Sequence, residues 1–173
     1  RRLFIPSPGL RMVGADLSGI ELRMLAHYLA RYDGGRYAKL LLEDDIHQIN
    51  ADKIGISRRQ VKTVTYAFLY GAGDEKIGHS YDPQLSTTAA KKKGKEIRAA
   101  YVDAVDGLDA LLKAIKQAAE RGFIKSIDGR KVNVDSPHKA LNYCLQSGAG
   151  VIAKRWMVIN QETMREAQIC ASQ

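Results

Sequence analysis

The sequence has no apolar run long enough to cross a bilayer. Its basic opening, residues 1–9, is not followed by an apolar stretch of signal-peptide length. Cysteine is scarce: Cys144 and Cys170 have neither metal-site nor disulfide-framework spacing, so both are expected to be reduced. Internal repeats and low-complexity tracts are also missing. Together these absences predict a soluble protein of the cytoplasm. The 173 residues suffice for one domain with a real core or for two small lobes, and a 45% hydrophobic fraction is ordinary for a globular chain.

What is present in excess is positive charge. Lys and Arg number 27 against 19 Asp and Glu, a formal net charge of +8. Such a balance suits a polyanionic partner but does not identify one. The densest run, Lys91-Lys92-Lys93 with Lys95, reads first as a solvated helix face and second as a phosphate contact.

Residues Met12 to Asp16 read as a short strand ending on a carboxylate. Ser18 reads as the N-cap of a helix carrying Ile20, Leu22, Leu25, Ala26 and Leu29 and stopping at Asp33-Gly34-Gly35. A helical turn is expected over 37–42. Asp44-Asp45-Ile46-His47 opens another helix, which Gly55 interrupts. Ser57-x-x-Gln60 has the form of a capping box and opens a helix that runs from Arg58 to about Tyr70. Residues 79–88 read as a loop. Residues 89–120 read as helical, with a break near Gly107 and a stop at Gly122. Ile124, Ile127, Val132 and Val134 flank Asp128-Gly129, a strong hairpin signal. Ser136-Pro137 begins a last helix reaching toward Ile169, with a possible kink at Gly148 or Gly150.

Chemistry concentrates on one predicted helix. Arg58, Lys62, Tyr66 and Tyr70 recur every four residues, so they form a slowly winding stripe. Two cations lie near the helix N-terminus, where free N–H groups favour anions. Two aromatics follow on the same stripe. Phosphate and then ring is the order of parts in a nucleotide. An amphipathic helix with a basic end explains the same spacing. Asp16 reads either as a surface turn residue or as a metal ligand at a strand end. Glu21 completes a Ser18-x-x-Glu21 capping box, which is a competing explanation for it. His47 is either structural or functional. Asn142 and Gln146 share a helix face and either contact base edges or are exposed polar residues.

Taken together these segments resemble family A DNA polymerases. Asp16-Leu17-Ser18-Gly19-Ile20-Glu21-Leu22-Arg23 is similar to that family's first palm motif. Arg58-x-x-x-Lys62-x-x-x-Tyr66-x-x-x-Tyr70-Gly71 is similar to its fingers motif, with Asp45-Ile46-His47 ahead of it. Asp128-Gly129-Arg130 and the run from Ser136 through Asn142 to Gln146 resemble its primer-template segment. Residues 69–78 are most like the replicative polymerases of short-tailed bacteriophages, which implies a bacterial host cytoplasm. The resemblance spans about residues 10 to 160 and favours the functional reading at the matched positions.

The resemblance implies an α+β fold: a mainly helical fingers lobe, residues 37–122, with parts of an antiparallel-sheet palm at 1–36 and 123–173. It implies template-directed DNA synthesis by two-metal catalysis. Asp16, helped by the Leu17 carbonyl, would hold magnesium. Arg58, Lys62 and His47 would grip the triphosphate of a dNTP, with Lys62 the proton donor to pyrophosphate. Tyr66 would stack near the incoming base and sugar. Glu21 would fill the space of a ribose 2′-hydroxyl. Tyr70 would sit at the template side, and Arg130, Asn142 and Gln146 would contact the primer-template minor groove.

The family's second palm carboxylate lies in a His-Asp-Glu hairpin, and these 173 residues contain no His-Asp pair. The resemblance likewise leaves no counterpart of a thumb or an exonuclease domain expected within these 173 residues. The expectation is an incomplete catalytic centre, inactive or nearly so by itself. The chain would be a shortened polymerase, one half of a split polymerase completed by a second chain, or a non-catalytic nucleic-acid-binding remnant. A single-subunit RNA polymerase is disfavoured by Glu21, since that enzyme must leave room for the 2′-hydroxyl.

Two outcomes follow for the completed enzyme. Tyr66 offers a phenol hydroxyl where many family members carry Phe, so dideoxynucleotides should be incorporated readily. Tyr66→Phe should restore discrimination, and unchanged dideoxy incorporation in primer extension would count against this. Glu21→Ala should admit ribonucleotides in the same assay.

Overall fold

The computed structural model describes residues 5–166. The expectations placed on Ile169 and Cys170 lie outside them. Eight helices and one hairpin follow in order: α1 Ile20–Asp33, α2 Arg36–Glu43, α3 Ile46–Ile54, α4 Arg58–Leu69, α5 Asp74–Tyr81, α6 Thr87–Ala104, α7 Leu108–Ala119, β1 Phe123–Lys125, β2 Lys131–Asn133 and α8 Ala140–Glu166. A single 3-10 turn, Pro137–Lys139, leads into α8.

The apolar stripe of α1 is the centre of the core. Leu25 and Leu29 are fully buried, and Leu22, Met24 and Ala26 nearly so. They join Tyr37 of α2, Ile46 of α3, Phe68 and Leu69 of α4, Tyr101 of α6, Leu108, Leu111 and Ile115 of α7, Ile124 of β1 and Leu141 and Leu145 of α8 in one cluster. A smaller cluster of Val64, Ile77 and Ile97 seats α5 and α6 on α4.

Local signals account for most element ends. Asp45 caps α3, its carboxylate accepting from the His47 and Gln48 amides. Ser57 and Gln60 form the expected capping box at α4. Gly107, at φ 80°, separates α6 from α7 with a backbone conformation that side chains resist. The hairpin pairs Phe123 with Asn133, Ile124 with Val132 and Lys125 with Lys131, and Ile127 sits in the turn rather than on a strand. Helix α8 runs unbroken through Gly148 and Gly150.

Three expectations need correction. Met12 to Asp16 is extended but not a strand, and Met12 and Val13 are exposed. Among the described residues the only sheet is the β1–β2 pair, so this segment has no ladder to join. Ser18 does not cap α1: the N-cap is Gly19, at φ 59°, without a side-chain cap hydrogen bond. Residues 79–81 belong to α5 and 87–88 to α6, so the loop between them is only 82–86. The polar composition of 79–88 hid a helix end whose apolar anchor, Ile77, lies upstream.

Helices α5 and α6 approach unusually closely. A Cβ on Gly78 would strike the Ala90 backbone, and one on Gly94 would strike the Asp74 carbonyl. Gly94→Ala should therefore cost about 1–3 kcal/mol through overpacking, read as a lower urea midpoint. A midpoint equal to the parent's would show that the hairpin of helices is looser than described.

Candidate nucleotide-binding cleft

The N-terminus of α1, the N-terminus of α3 and one face of α4 enclose a cavity of about 450 Å³. Its lining includes Ser18, Arg23, Asp45, His47, Lys62 and Tyr66. Helical periodicity places Lys62 and Tyr66 here because Val61, Val64, Thr65 and Phe68 of the same helix are turned into the core. The cavity therefore combines two cations, Arg23 and Lys62, with the Asp44 and Asp45 residues, an imidazole and a phenol.

Arg58 stands outside the lining. Its Nε donates to Asp45 Oδ2 at 2.7 Å, and Asp45 does line the cavity. Both side chains are about half exposed, so this pair orients the guanidinium more than it stabilises the fold. The Arg58 hydrogen bond holds the Asp45 carboxyl below the usual range. His47 has its ring centroid 6.3 Å from that of Tyr66, and its Nδ1 is buried without a hydrogen-bond partner among the described residues. Burial lowers the His47 pKa; Asp45 opposes this, while Arg58 and Lys62 add to it. The imidazole is therefore neutral at pH 7.

Glu21 is not a helix cap. Its carboxylate accepts from the Tyr70 hydroxyl at 2.8 Å and from Gln146 Nε2 at 3.5 Å. The hydrogen bond to Glu21 raises the Tyr70 pKa. Tyr66 is raised by burial first and by Glu21 second. Asn142 Nδ2 donates to the Leu69 carbonyl at 3.3 Å, at the end of α4. Glu21, Tyr70, Asn142 and Gln146 thus converge where α1, α4 and α8 meet.

Asp16 lines the adjacent cavity, of about 530 Å³, with Leu17, Arg23, His27, Ile127 and Ile152 among its neighbours. Ser18 and Arg23 line both cavities, so the carboxylate and the Lys62 stripe lie on neighbouring sides of the α1 N-terminus. Arg23 was not anticipated as a site residue; its Nε donates to the Ser18 carbonyl at 2.9 Å. An arginine two residues after Glu21, set between the buried Leu22 and Met24, is the signal that could have marked it. Arg130 sits apart, in the hairpin turn, paired with Asp128 at 2.5 Å. Among the described residues no group of three His, Cys, Asp or Glu side chains could hold a metal ion. Asp16 and the Leu17 carbonyl offer two hard oxygens, which suits a magnesium ion that takes its remaining ligands from phosphates and water.

A basic helix edge, two tyrosines and the carboxylate of an extended segment thus lie around one helix terminus. The family model for DNA polymerase family A matches residues 1–172, and the chain belongs to that family. It is 40% identical over 169 residues to the DNA-directed DNA polymerase of Escherichia phage T7, covering 88% of this chain and 23% of the relative. It is 31% identical to a DNA polymerase of Mycobacterium phage L5, covering 91% of this chain and 26% of that one. The solved POL domain of Pol1 from M. smegmatis, in complex with DNA primer-template and dNTP, superposes with a TM-score of 0.66 at 23% identity. The superposition covers 87% of this chain and 29% of that one and supports the fold. The chain thus spans about a quarter of the length of these polymerases.

Because its folded pKa lies below its ordinary 6.5, His47 destabilises the fold once the pH falls below the unfolded value. Its proton NMR signal should titrate with a midpoint below 6.5, and an added triphosphate should raise that midpoint. An unchanged midpoint would remove His47 from the phosphate site.

Proposed function

We propose that this chain forms the nucleotide-gripping and primer-template-contacting part of a DNA-directed DNA polymerase, a nucleotidyltransferase that extends a primer 3′-hydroxyl. The observation that carries this reading is the shared wall of the cleft. Lys62 and Tyr66 of α4 share the cavity lining with Ser18, just ahead of α1, and Arg23 of α1, while Glu21 of α1 accepts from Tyr70 at the end of α4.

In this reading Lys62, His47 and Arg58 bind the triphosphate, Lys62 also donating the proton to pyrophosphate. Tyr66 receives the base and sugar, and Glu21 excludes a 2′-hydroxyl. Asp16 and the Leu17 carbonyl would hold magnesium, which supplies charge stabilisation at the transferring phosphate when bound. Tyr70, Arg130, Asn142 and Gln146 contact the paired strands. Residues 1–36 and 123–173 would be palm and 37–122 fingers. Exposed Ile152, Met157, Val158 and Ile159 on α8 are compatible with further palm structure covering that side. A second palm carboxylate would come from outside these 173 residues, in the same polypeptide or in a second one.

Primer extension tests this, with the chain alone and with an added polypeptide carrying a His-Asp-Glu hairpin. Salt-sensitive primer-template binding by the chain and extension on complementation are expected. Lys62→Ala should then reduce extension on the order of 100-fold, the scale of one lost charge-stabilising donor. Binding without extension under either condition would leave a nucleic-acid-binding remnant. No primer-template binding at all would overturn the reading.

A further inference from the structure

Helix α4 ends in a Schellman turn. The Ala72 amide donates to the Ala67 carbonyl and the Gly71 amide to the Phe68 carbonyl, both at 2.9 Å, with Gly71 at φ 72°. Tyr70 stands immediately before Gly71 and is about half exposed. Core packing therefore holds its ring only in part. Its hydroxyl reaches Glu21 because the end of α4 is aimed there.

The chain then runs through Gly71-Ala72-Gly73, which has almost no side chain to bury. This connection borders a cavity of about 560 Å³ that Phe68, Arg98, His138 and Leu141 also line. Its placement thus leans on polar contacts, and Arg98 of α6 supplies two. Arg98 Nη2 donates to the Ala72 carbonyl at 2.5 Å, and Nε donates to Asp74 Oδ1 at 2.6 Å, at the first residue of α5. The guanidinium carbon also lies 5.5 Å from the Phe68 ring centroid. Tyr101, three residues further along α6, lies 5.1 Å from the same ring. One guanidinium therefore touches the end of α4, the connection and the start of α5.

Joining the helices does not require this residue. Helices α5 and α6 already meet closely at Gly78 and Gly94, and Ile77 and Ile97 pack on Val64 of α4. Arg98 is about one-third exposed and adds direction rather than burial. A planar fork can hold two acceptors in fixed geometry, which an ammonium does not.

We propose that Arg98 is a positioning residue for nucleotide selection, fixing the α4–α5 connection so that Tyr70 keeps Glu21 in place. This rests on the reading above of Glu21 as the group that excludes a 2′-hydroxyl, and it deepens that reading. The sugar filter is set in part from α6, by a residue outside the cleft lining.

The test measures the ratio of ribonucleotide to deoxynucleotide incorporation by the complemented polymerase, a ratio that does not depend on the fraction of folded protein. Arg98→Gln should raise it on the order of 10-fold, the scale of one lost hydrogen bond from a charged group. Arg98→Lys should raise it less, because an ammonium can still serve Asp74 or Ala72. Should Arg98→Gln fail to fold, Arg98→Lys decides: a ratio above the parent's supports the proposal, and an equal ratio overturns it. Native-state amide exchange of the chain alone is the companion measurement. In Arg98→Gln the Gly71 and Ala72 amides should speed up by a larger factor than the Leu25 amide, which reports global opening. Equal acceleration at all three with an unchanged ratio would reduce Arg98 to a structural role and overturn the proposal. Glu21→Ala separates this proposal from the reading beneath it. If Glu21→Ala raises the ratio and Arg98→Gln does not, only the role of Arg98 falls. If Glu21→Ala leaves the ratio unchanged, the sugar filter falls and Arg98 with it.

Discussion

The burial of α1 is the constraint on which the rest depends. Leu25 and Leu29 admit no solvent, and their side of the helix meets residues from every other large element of the main core. Once that face is committed, the first turn of α1 has no freedom of rotation. Glu21 must then project toward the end of α4 and the side of α8, where Tyr70 and Gln146 reach it. Arg23 must project between the two cavities. A site assembled from three helices distant in sequence is thus oriented by ordinary apolar packing rather than by its own polar contacts.

The cleft is also organised electrostatically before anything enters it. Asp45 serves twice, capping α3 with one oxygen and holding Arg58 with the other. This keeps a cation near the cavity mouth without letting it fill the cavity. His47 stays neutral because burial outweighs its acidic neighbour. Lys62 and Arg23 are the cations of the lining, and an arriving polyanion meets them with the His47 imidazole and the Asp45-held Arg58 guanidinium beside them. Such an arrangement needs little rearrangement to accept phosphate, which is where preorganised charge gains its effect.

The elements with strong local chemistry were readable from residues alone. The α3 and α4 starts, the break at Gly107 and the Asp128-Gly129 hairpin each rest on a cap or a turn that acts within a few residues. The failures were of another kind. Ser18-x-x-Glu21 satisfies the capping pattern, yet the tertiary partner Tyr70 outcompetes the local amide for Glu21. Met12 to Asp16 is a short apolar run ending on a carboxylate, but a strand exists only where another pairs with it. The helix end at 79–81 was missed because its composition is polar, although Tyr81 packs beside Ile77 in the smaller core cluster.

By itself the amino-acid order determined which residues could do chemistry: the four-residue stripe on α4, the carboxylate at Asp16, and the excess of positive charge. Helical period and capping are short-range, so they follow from neighbours in the chain. Only tertiary packing decided which of these groups meet. Glu21 reaches Tyr70 and Gln146 across 49 and 125 residues of chain, and Lys125 opposes Lys131 by strand register. Those choices come from the competition among buried surfaces for one core, a property of the whole fold that no local pattern contains.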